Sequence, residues 1–456
     1  MKELEQYRAA LTKLPAGIKE AEVQGEKTVS VEAAVQNGIS VGMSYQNQTE
    51  LFVRATGEHT GLAYTQNLSE DPKKVLEKAL ENSREADKKE PMNDAGSLRK
   101  IREALAVSED EEEKAPGEVE AMELHRTALE LEERIRREFP VIADLEVRVT
   151  EILRTVGILN SKGVDESGNT GRFDVAVSLT EQGNPMKRYE ETVAAGSLQE
   201  MGALECRLKE GIRRFLMEKG AAGKFHPGTY RAVLSSQVVN FMLITAWQMF
   251  SGANYLSGRT PLRGKLGEPV FSEKIHIEDR ARAPYPFKMD MEGTPCRDVE
   301  LVKDGVLTGL MHNLSSAGSL GFSSTGNAGR KAFLAGSIHT DMTVIPKNFV
   351  MKEGETSLAE LICRCGDGIF ITQSYDQFHA LNTVTGDFMF PCRGILIREG
   401  RLTEEVSGLS MNGNFLELLK GVEAVGSYRQ MEPMTMYNNY TVSGPDLLVE
   451  ALKISG

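Results

Sequence analysis

"SSQVVNFMLITAWQMFSG" occupies Ser235–Gly252, inside an uncharged run from Ala232 to Gly258, in a 456-residue chain of which 26% is charged. Such a run either crosses a bilayer, or forms a buried core helix, or marks the place where a relative keeps a catalytic motif. A membrane span needs about 20 predominantly apolar residues. Here Ser235, Ser236, Gln237, Asn240, Thr245, Gln248, Ser251 and Asn254 interrupt the run, and each would need a partner in hydrocarbon. Val238, Val239, Phe241, Met242, Leu243, Ala246, Trp247, Met249 and Phe250 cover most sides of a helix, as in a helix buried in a soluble core. The stretch therefore reads as a core helix with Trp247 buried on it.

Upstream of this helix, "TYRAVLS" reads as a strand feeding it, and "AAGKFHPG" as a Gly/Pro connection that bounds two regions. The first region, 1–220, alternates strands and helices. Asn37-Gly38 signals a hairpin turn. "LSEDPKKVLEKALENSREADKK" predicts a helix capped at Ser69 with acids in its first turn. An acidic linker lies near 108–120, followed by a long helix around Val119 to Phe139. "LEVRVTEILRTVGILNSKGVDES" and "FDVAVSLTEQ" read as paired strands, and "GSLQEMGALECRLKEGIRRFLMEKG" as a helix. The second region, 221–456, is β-rich, with Asp304-Gly305 and Glu399-Gly400 as tight turns and "SLAELICRCGDGIFITQSY" as helix, turn and strand. The expected fold is α+β in two parts, an N-terminal α+β unit and a C-terminal β-rich domain around the helix.

The net charge of −13 repels phosphate backbones, and no basic stripe interleaves with aromatics, so nucleic acid is not an expected partner. Five cysteines, an odd and sparse number, suit a reducing compartment. The charged, helix-like N-terminal segment has no apolar core of a signal peptide, which places the expected location in the cytoplasm. None of the seven histidines lies between Pro227 and Ile275, so the uncharged helix carries no His pair for a metal. Cys363, Cys365, His379 and Cys392 are ligand types that zinc accepts, but at a poor spacing. There is no G-x-S-x-G elbow and no Walker lysine. Two loops stand out, "GFSSTGNAGR" (321–330) and "NTVTGDFMF" (382–390). Small polar residues and glycine let a backbone approach a ligand, although ordinary surface turns have the same composition.

Several blocks, in order, resemble the TldD/PmbA (TldE) family, named for modulation of DNA gyrase. They are "LFVRATGEHTGLAYTQNLSEDPKKVLEKALENSREA", "VGILNSKGV", "DMEGTPCRDVELVKDGVLTGLMHNLSSAGSLGFSSTGNAGR", "GIFITQSYDQFHALNTVTGDFMFPCRGILIREGRL" and "GLSMNGNFLELLKGVEAVGS". The resemblance implies a metallopeptidase system of two related subunits. One type carries an HExxxH zinc helix and a later cysteine ligand; the PmbA/TldE type lacks them. At the matching positions this chain has Leu243, Ile244 and Gln248, and "RQMEPMTMYNNYTVSGPDL" holds no cysteine. Neither leucine nor isoleucine ligates zinc, and no residue there serves as general base.

The resemblance therefore implies a PmbA/TldE-type subunit, non-catalytic alone, with no metal or cofactor of its own. Zinc would sit in an HExxxH-bearing, TldD-like sister, and unfolded, extended peptide would be the substrate of proteolysis. A homodimer of the isolated chain stays open. It also implies that Ser324, Thr325, Gly326, Asn327 and Arg330, with Thr385, Gly386, Asp387 and Phe388, line a peptide groove by strand addition. Met389, Phe390 and Pro391 are bulkier than the family pattern after "TGDF". The rival expectations are an independent hydrolase using the Cys/His group, and a peptide-binding scaffold without enzymatic activity.

Overall fold

The computed structural model describes residues 1–83, 91–105, 120–216, 224–282, 285–330, 342–376, 378–434 and 440–456. The acidic stretch near 108–120 lies almost wholly outside the described residues, and so does the expected boundary at 220–221.

The Asn37-Gly38 turn joins β1 (Glu20–Gln36) to β2 (Ile39–Thr56), with φ of 52° and 76°. Positive φ at both central positions matches the twist of the flanking strands. With β3 (Thr60–Thr65), β4 (Ile142–Asn160), β5 (Asp165–Glu181) and β6 (Asn184–Ala195), they form an antiparallel sheet in the order β3-β2-β1-β4-β5-β6. Its helices are α1 (Arg8–Thr12), α2 (Pro72–Glu81), α3 (Ala95–Ala104), α4 (Ala121–Glu138) and α5 (Met201–Leu216). Leu124, Ala128, Leu131 and Ile135 recur at helical spacing on α4, and Leu204, Leu208, Ile212 and Phe215 on α5. Both rows pack on Ala33, Val35, Val147, Val149, Val175 and Val177 of the sheet. Each buried valine, leucine, isoleucine or phenylalanine among them stabilises by roughly 1.5–3 kcal/mol.

The expected Ser69 cap is corrected: α2 is capped by Asp71, whose side chain accepts from Lys73 N at 3.0 Å, and its first turn holds no acid. Pro72 decides this, because its fixed φ and missing N–H favour the first helical position.

The second sheet has ten strands: β7 (Gly228–Leu234), β8 (Ile277–Arg280), β9 (Val299–Lys303), β10 (Val306–Leu307), β13 (Asn348–Met351), β14 (Gly368–Ser374), β15 (Asp387–Arg398), β16 (Arg401–Asn414), β17 (Val422–Met434) and β18 (Tyr440–Ser455). A small pair, β11 (Ala328–Gly329) and β12 (Thr343–Val344), stands apart. The pairings β18-β16-β15-β14-β7 return from β7 to β18 and close a ring. The Asp304-Gly305 and Glu399-Gly400 turns also take positive φ at both positions. Five short helices complete the fold: α6 (Ser236–Ala246), α7 (Gly252–Ser257), α8 (Leu314–Leu320), α9 (Leu358–Cys365) and α10 (Phe415–Lys420). The α+β class is as expected. Among the described residues no helix is long and apolar enough to cross a membrane.

The uncharged stretch is a buried helix, but not one unbroken helix to Gly252. The α-helix ends at Ala246, tightens into a 3-10 turn over Trp247–Phe250, and Ser251 is extended before α7. The cause is a competing backbone pairing. Met311 N donates to Phe250 O at 2.9 Å, and Gly252 N donates to Met311 O at 2.8 Å. Gly252 is required there, because a Cβ would lie 2.2 Å from His312 Nδ1.

The two faces of β1 carry opposite chemistry. Ala21 and Val23 enter an apolar cluster, while the alternate residues Glu22, Gln24 and Glu26 are buried on the other face. That polar face is covered by segments that belong with the second sheet, and it sets the position of the candidate site.

Candidate functional site

Helix α6 begins at Ser235, whose Oγ accepts from Val238 N at 3.3 Å and donates to Thr372 O at 2.8 Å. Ser236 N donates at 2.8 Å to the buried carboxylate of Asp446, which Arg214 pairs at 2.6 Å. An anion at a helix N-terminus is favoured by the helix dipole. Asn240 accepts from Gly444 N at 2.7 Å, and a Cβ on Gly444 would fall 2.5 Å from Val239 Cγ1. Strand β18 thus lies hard against the helix. At its far end Trp247 Nε1 donates to Tyr440 Oη at 3.3 Å, and the rings meet edge-on.

Leu243 and Ile244 are fully buried in the main apolar cluster, and Gln248 is half-buried. Two aliphatic side chains and an amide do not fit a zinc ion, which needs thiolate, imidazole or carboxylate donors. Among the described residues no three His, Cys, Asp or Glu side chains gather as a metal site. Of the Cys/His group, Cys363 is exposed and Cys365 and Cys392 are buried. The exposed His379 bonds instead to Asp376 at 2.8 Å.

The first candidate loop folds back on the backbone of His312. Thr325 Oγ1 accepts from His312 N at 2.7 Å and donates to Asn327 Oδ1 at 2.6 Å, and Ser324 Oγ donates to His312 O at 3.2 Å. Asn327 Nδ2 donates to Asp279 Oδ2 at 2.7 Å and to Ile345 O at 2.9 Å. Gly326 has φ 76°, and a Cβ there would meet Cys296 Cα at 2.6 Å. Arg330 is fully buried and its Nε donates to Gln24 of β1. Thr325, Gly326, Asn327 and Arg330 are all buried; as placed, their side chains hold the loop and offer no surface to a peptide. Ser324 is half-buried at the rim.

The anchors of this loop are buried acids that the sequence reading did not single out. Asp290 Oδ1 accepts from Glu292 N and Thr294 N, both at 2.9 Å, and Oδ2 accepts from Ala328 N at 2.9 Å. Glu292 Oε2 accepts from Leu314 N at 2.8 Å. Asn93 Nδ2 donates to Glu292 O at 2.8 Å, Asn160 Nδ2 donates to Asn93 O at 3.0 Å and to Glu22 Oε2 at 3.2 Å, and Arg54 Nη2 meets Glu22 Oε1 at 2.9 Å. A continuous polar seam therefore ties the first sheet to the 279–330 segments. Burial pushes the Asp279 and Asp290 carboxyls up to about 6, against the opposing pull of their hydrogen-bond donors and of Lys347. Burial and then the neighbouring Asp290 push Glu292 well above the usual carboxylate range. Burial lowers His312 to about 4 and raises the Cys296 thiol to about 12, leaving both neutral near pH 7. The signal was present in "DMEG" and "EVQGEK", but alternating polar residues in a strand ordinarily read as a solvated face.

The second candidate loop is built differently. Asn382 Oδ1 accepts from Val384 N at 2.9 Å, and Gly386 N donates to Asn382 O at 2.8 Å. Asn414 Nδ2 donates to Thr385 O and to Asp387 Oδ1, both at 3.0 Å, and Thr385 Oγ1 donates to Asp387 Oδ2 at 2.8 Å. These bonds hold the Asp387 carboxyl below its ordinary value. Gly386 takes φ +86°. Thr385 and Asp387 are exposed, whereas Gly386 is buried and Phe388 packs into the core beside Phe390. From Asp387 to Cys392 exposed and buried residues alternate, so Met389 points outward, Phe390 inward and Pro391 outward. The bulky run is an ordinary strand. Beside it lies an open groove of about 670 Å³ lined by Tyr375, Pro391, Cys392, Leu409, Ser410 and Ser455 among others.

Residues 227–456 match the family model described as the PmbA/TldA metallopeptidase C-terminal domain. The chain belongs to the PmbA/TldD family. It is 34% identical over 175 residues to a metalloprotease of Methanothermobacter thermautotrophicus, covering 38% of this chain and 37% of that one. It is 29% identical over 277 residues to a protein of Methanocaldococcus jannaschii, covering 58% and 60%. The match thus spans at most about 60% of the length of these curated relatives. In fold it is similar to TldE from Thermococcus kodakarensis, with a TM-score of 0.78, 20% identity and full coverage of both chains. A Thermotoga maritima protein named as a modulator of a DNA gyrase superposes with a TM-score of 0.75 at 21% identity, covering 99% of this chain and 98% of that one.

Proposed function

We propose that this chain is the PmbA/TldE-type, non-catalytic subunit of a peptidase that works with an HExxxH-bearing sister. The observation that carries the reading is the pair Leu243 and Ile244, fully buried where the family's metal motif aligns. With no ligand at those positions, the polarised carbonyl and activated water of a metallopeptidase come from the sister's zinc. This chain contributes a wall for an extended, unfolded peptide. Thr385, Asp387 and Ser324 are its accessible polar contacts, Gly386 sets the loop's shape, and the groove beside Pro391 takes apolar side chains. Thr325, Gly326, Asn327, Arg330 and Phe388 act by holding those surfaces in place.

The test is cleavage of an unfolded polypeptide by this chain, by the sister, and by the two together. The expected result is activity only when the sister is present, with zinc retained by the sister alone. Robust cleavage by this chain purified free of any sister would overturn the reading.

A further inference from the structure

A cavity of about 60 Å³ opens where β6 of the first sheet touches β17 of the second, at the end of α6 away from Leu243 and Ile244. Tyr189 of β6 and Phe215 of α5 form one side; the first turn of α6, Phe370 of β14 and Tyr428 of β17 form the other. Tyr189, Phe215 and Phe370 are buried at the floor, while Gln237, Gln373 and Gln430 are half-buried at the rim. A water needs only roughly 10–15 Å³ of such space, so a group of about four to six heavy atoms fits. Close packing leaves few voids larger than a water. Small-molecule sites gather at junctions of this kind, with apolar walls and a few convergent polar groups.

The charged groups around this cavity already have partners. Arg214 pairs with Asp446 at 2.6 Å and with Glu210 at 3.1 Å, and its guanidinium lies 3.7 Å from the centre of the Tyr428 ring. The buried Glu191 accepts from the hydroxyls of Tyr189 and Tyr428. Burial, and then the Glu191 charge, hold both phenols well above their ordinary range, so both stay neutral. Gly211 of α5 makes room for this arrangement: a Cβ in its place would lie 1.9 Å from Tyr189 Oη and 2.1 Å from Glu191 Oε2. An incoming anion would face Glu191, Glu210 and Asp446, and an incoming cation would face Arg214. Among the described residues neither would meet an unclaimed counter-ion, and an unpaired buried charge is costly.

The polar groups left open are neutral. Gln237 N, in the first turn of α6, has no protein acceptor among the described residues, whereas the neighbouring N–H groups of Ser236 and Val238 go to Asp446 and Ser235. The carboxamides of Gln237, Gln373 and Gln430 also make no hydrogen bond among the described residues. A carbonyl oxygen suits the open N–H at the positive end of a helix, and a carboxamide offers an amide both a donor and an acceptor. We propose that this cavity binds a neutral amide with a short branched aliphatic body. Its carbonyl oxygen accepts from Gln237 N, its N–H donates to a rim glutamine, and its alkyl group packs against Phe215 and Phe370. A free small amide and a valine residue within a peptide share this chemistry.

Ligand-observed NMR titration of the full chain with isobutyramide, isobutyrate and isobutylamine tests the proposal, because the three share an isopropyl body and differ in charge. Isobutyramide is expected to saturate with a Kd of about 1–10 mM. The two charged compounds should bind at least about tenfold more weakly. Gln373→Phe and Gln430→Phe each fill the rim from a different strand and should weaken isobutyramide at least about tenfold. Far-UV circular dichroism and Trp247 fluorescence select the variants that fold, and either one suffices. The blocked tripeptide acetyl-Gly-Val-Gly-amide separates the sources: displacement of isobutyramide supports a peptide, and no displacement supports a free amide. No saturation by isobutyramide at about 100 mM overturns the proposal. So does a charged analogue that binds as tightly, or a folded phenylalanine variant whose binding is unchanged.

Discussion

Replacing Asp290 with alanine isolates what the polar seam contributes. Three backbone N–H groups, of Glu292, Thr294 and Ala328, lose their acceptor at once, each from a bond of 2.9 Å. A buried donor left without a partner costs roughly 1–3 kcal/mol. The low end of that range, summed over three donors, is about 3 kcal/mol, and water entering the gap works against the high end. The same carboxylate also carries a penalty of its own, because burial has raised it to about 6. A carboxyl raised in the folded state contributes stability that is fully present below its unfolded value of about 3.9 and is lost as pH rises through about 6. A shift of about two units corresponds to about 3 kcal/mol. Asp290→Ala should therefore destabilise most near pH 4–5, and the difference from wild type should shrink towards pH 7.5.

Urea unfolding followed through Trp247, the sole tryptophan, measures this difference across that pH range. Taking the difference between variant and wild type largely cancels the opposite contribution of His312. That group is lowered to about 4, so its contribution is present above about 6.5 and is lost as pH falls through 4. A loss below about 1 kcal/mol at pH 5 would mean that the three N–H groups find other acceptors. A loss that grows between pH 5 and 7.5 would refute the claim that burial disfavours this charge.

Gly386→Val places a branched side chain at φ +86°, with its Cβ 3.1 Å from Asn414 Nδ2. It should cost about 1–2 kcal/mol and lower cleavage by the two-subunit complex while its zinc content holds; an unchanged rate detaches the loop from function. Metal analysis of the chain purified alone should find no stoichiometric zinc, and tight zinc lost on replacing Cys363 or Cys365 would favour the independent-hydrolase alternative instead. Trp247 should resist quenching by acrylamide until the protein unfolds, and Ile244→Glu should abolish that protection by placing an unpaired carboxylate in the apolar cluster; efficient quenching of the native wild type would contradict its burial.

Much of the fold was legible because single residues dictate it. Asn37-Gly38, Asp304-Gly305 and Glu399-Gly400 supply backbone conformations that few other pairs tolerate, and all three are turns. The burial of α6 followed from the absence of charge. Its early end did not, because the cause is a pairing of residues 250–252 with Met311, remote in sequence. The cap of α2 went to Asp71 over Ser69 because Pro72 fixes the first turn. The seam was the largest omission. Glu22, Gln24 and Glu26 alternate with apolar residues as a half-solvated strand would, and only the arrival of the segments bearing Asn93 and Arg330, which bond to Asn160 and Gln24 from distant positions, turns that face inward.

The two glycine-bearing loops show how far composition reaches. Both combine small polar residues with a positive-φ glycine, so a sequence reading gives them the same role. In the structure Gly326 sits against the 295–296 backbone, Thr325 accepts from His312 N and donates to Asn327, and Asn327 and Arg330 spend their donors on Asp279, Ile345 and Gln24. The polar side chains of the 385–388 loop bond among themselves and to Asn414, with Thr385 and Asp387 left at the surface. What separates the loops is the supply of buried acceptors around them: Asp279 and Asp290 draw the first inward, and among the described residues no buried acid bonds to the second. Substitutions in the first loop should therefore act on stability before they act on any ligand. Those at Thr385 and Asp387 should act on ligand contact with little cost to the fold, and that contrast gives each loop a measurable signature.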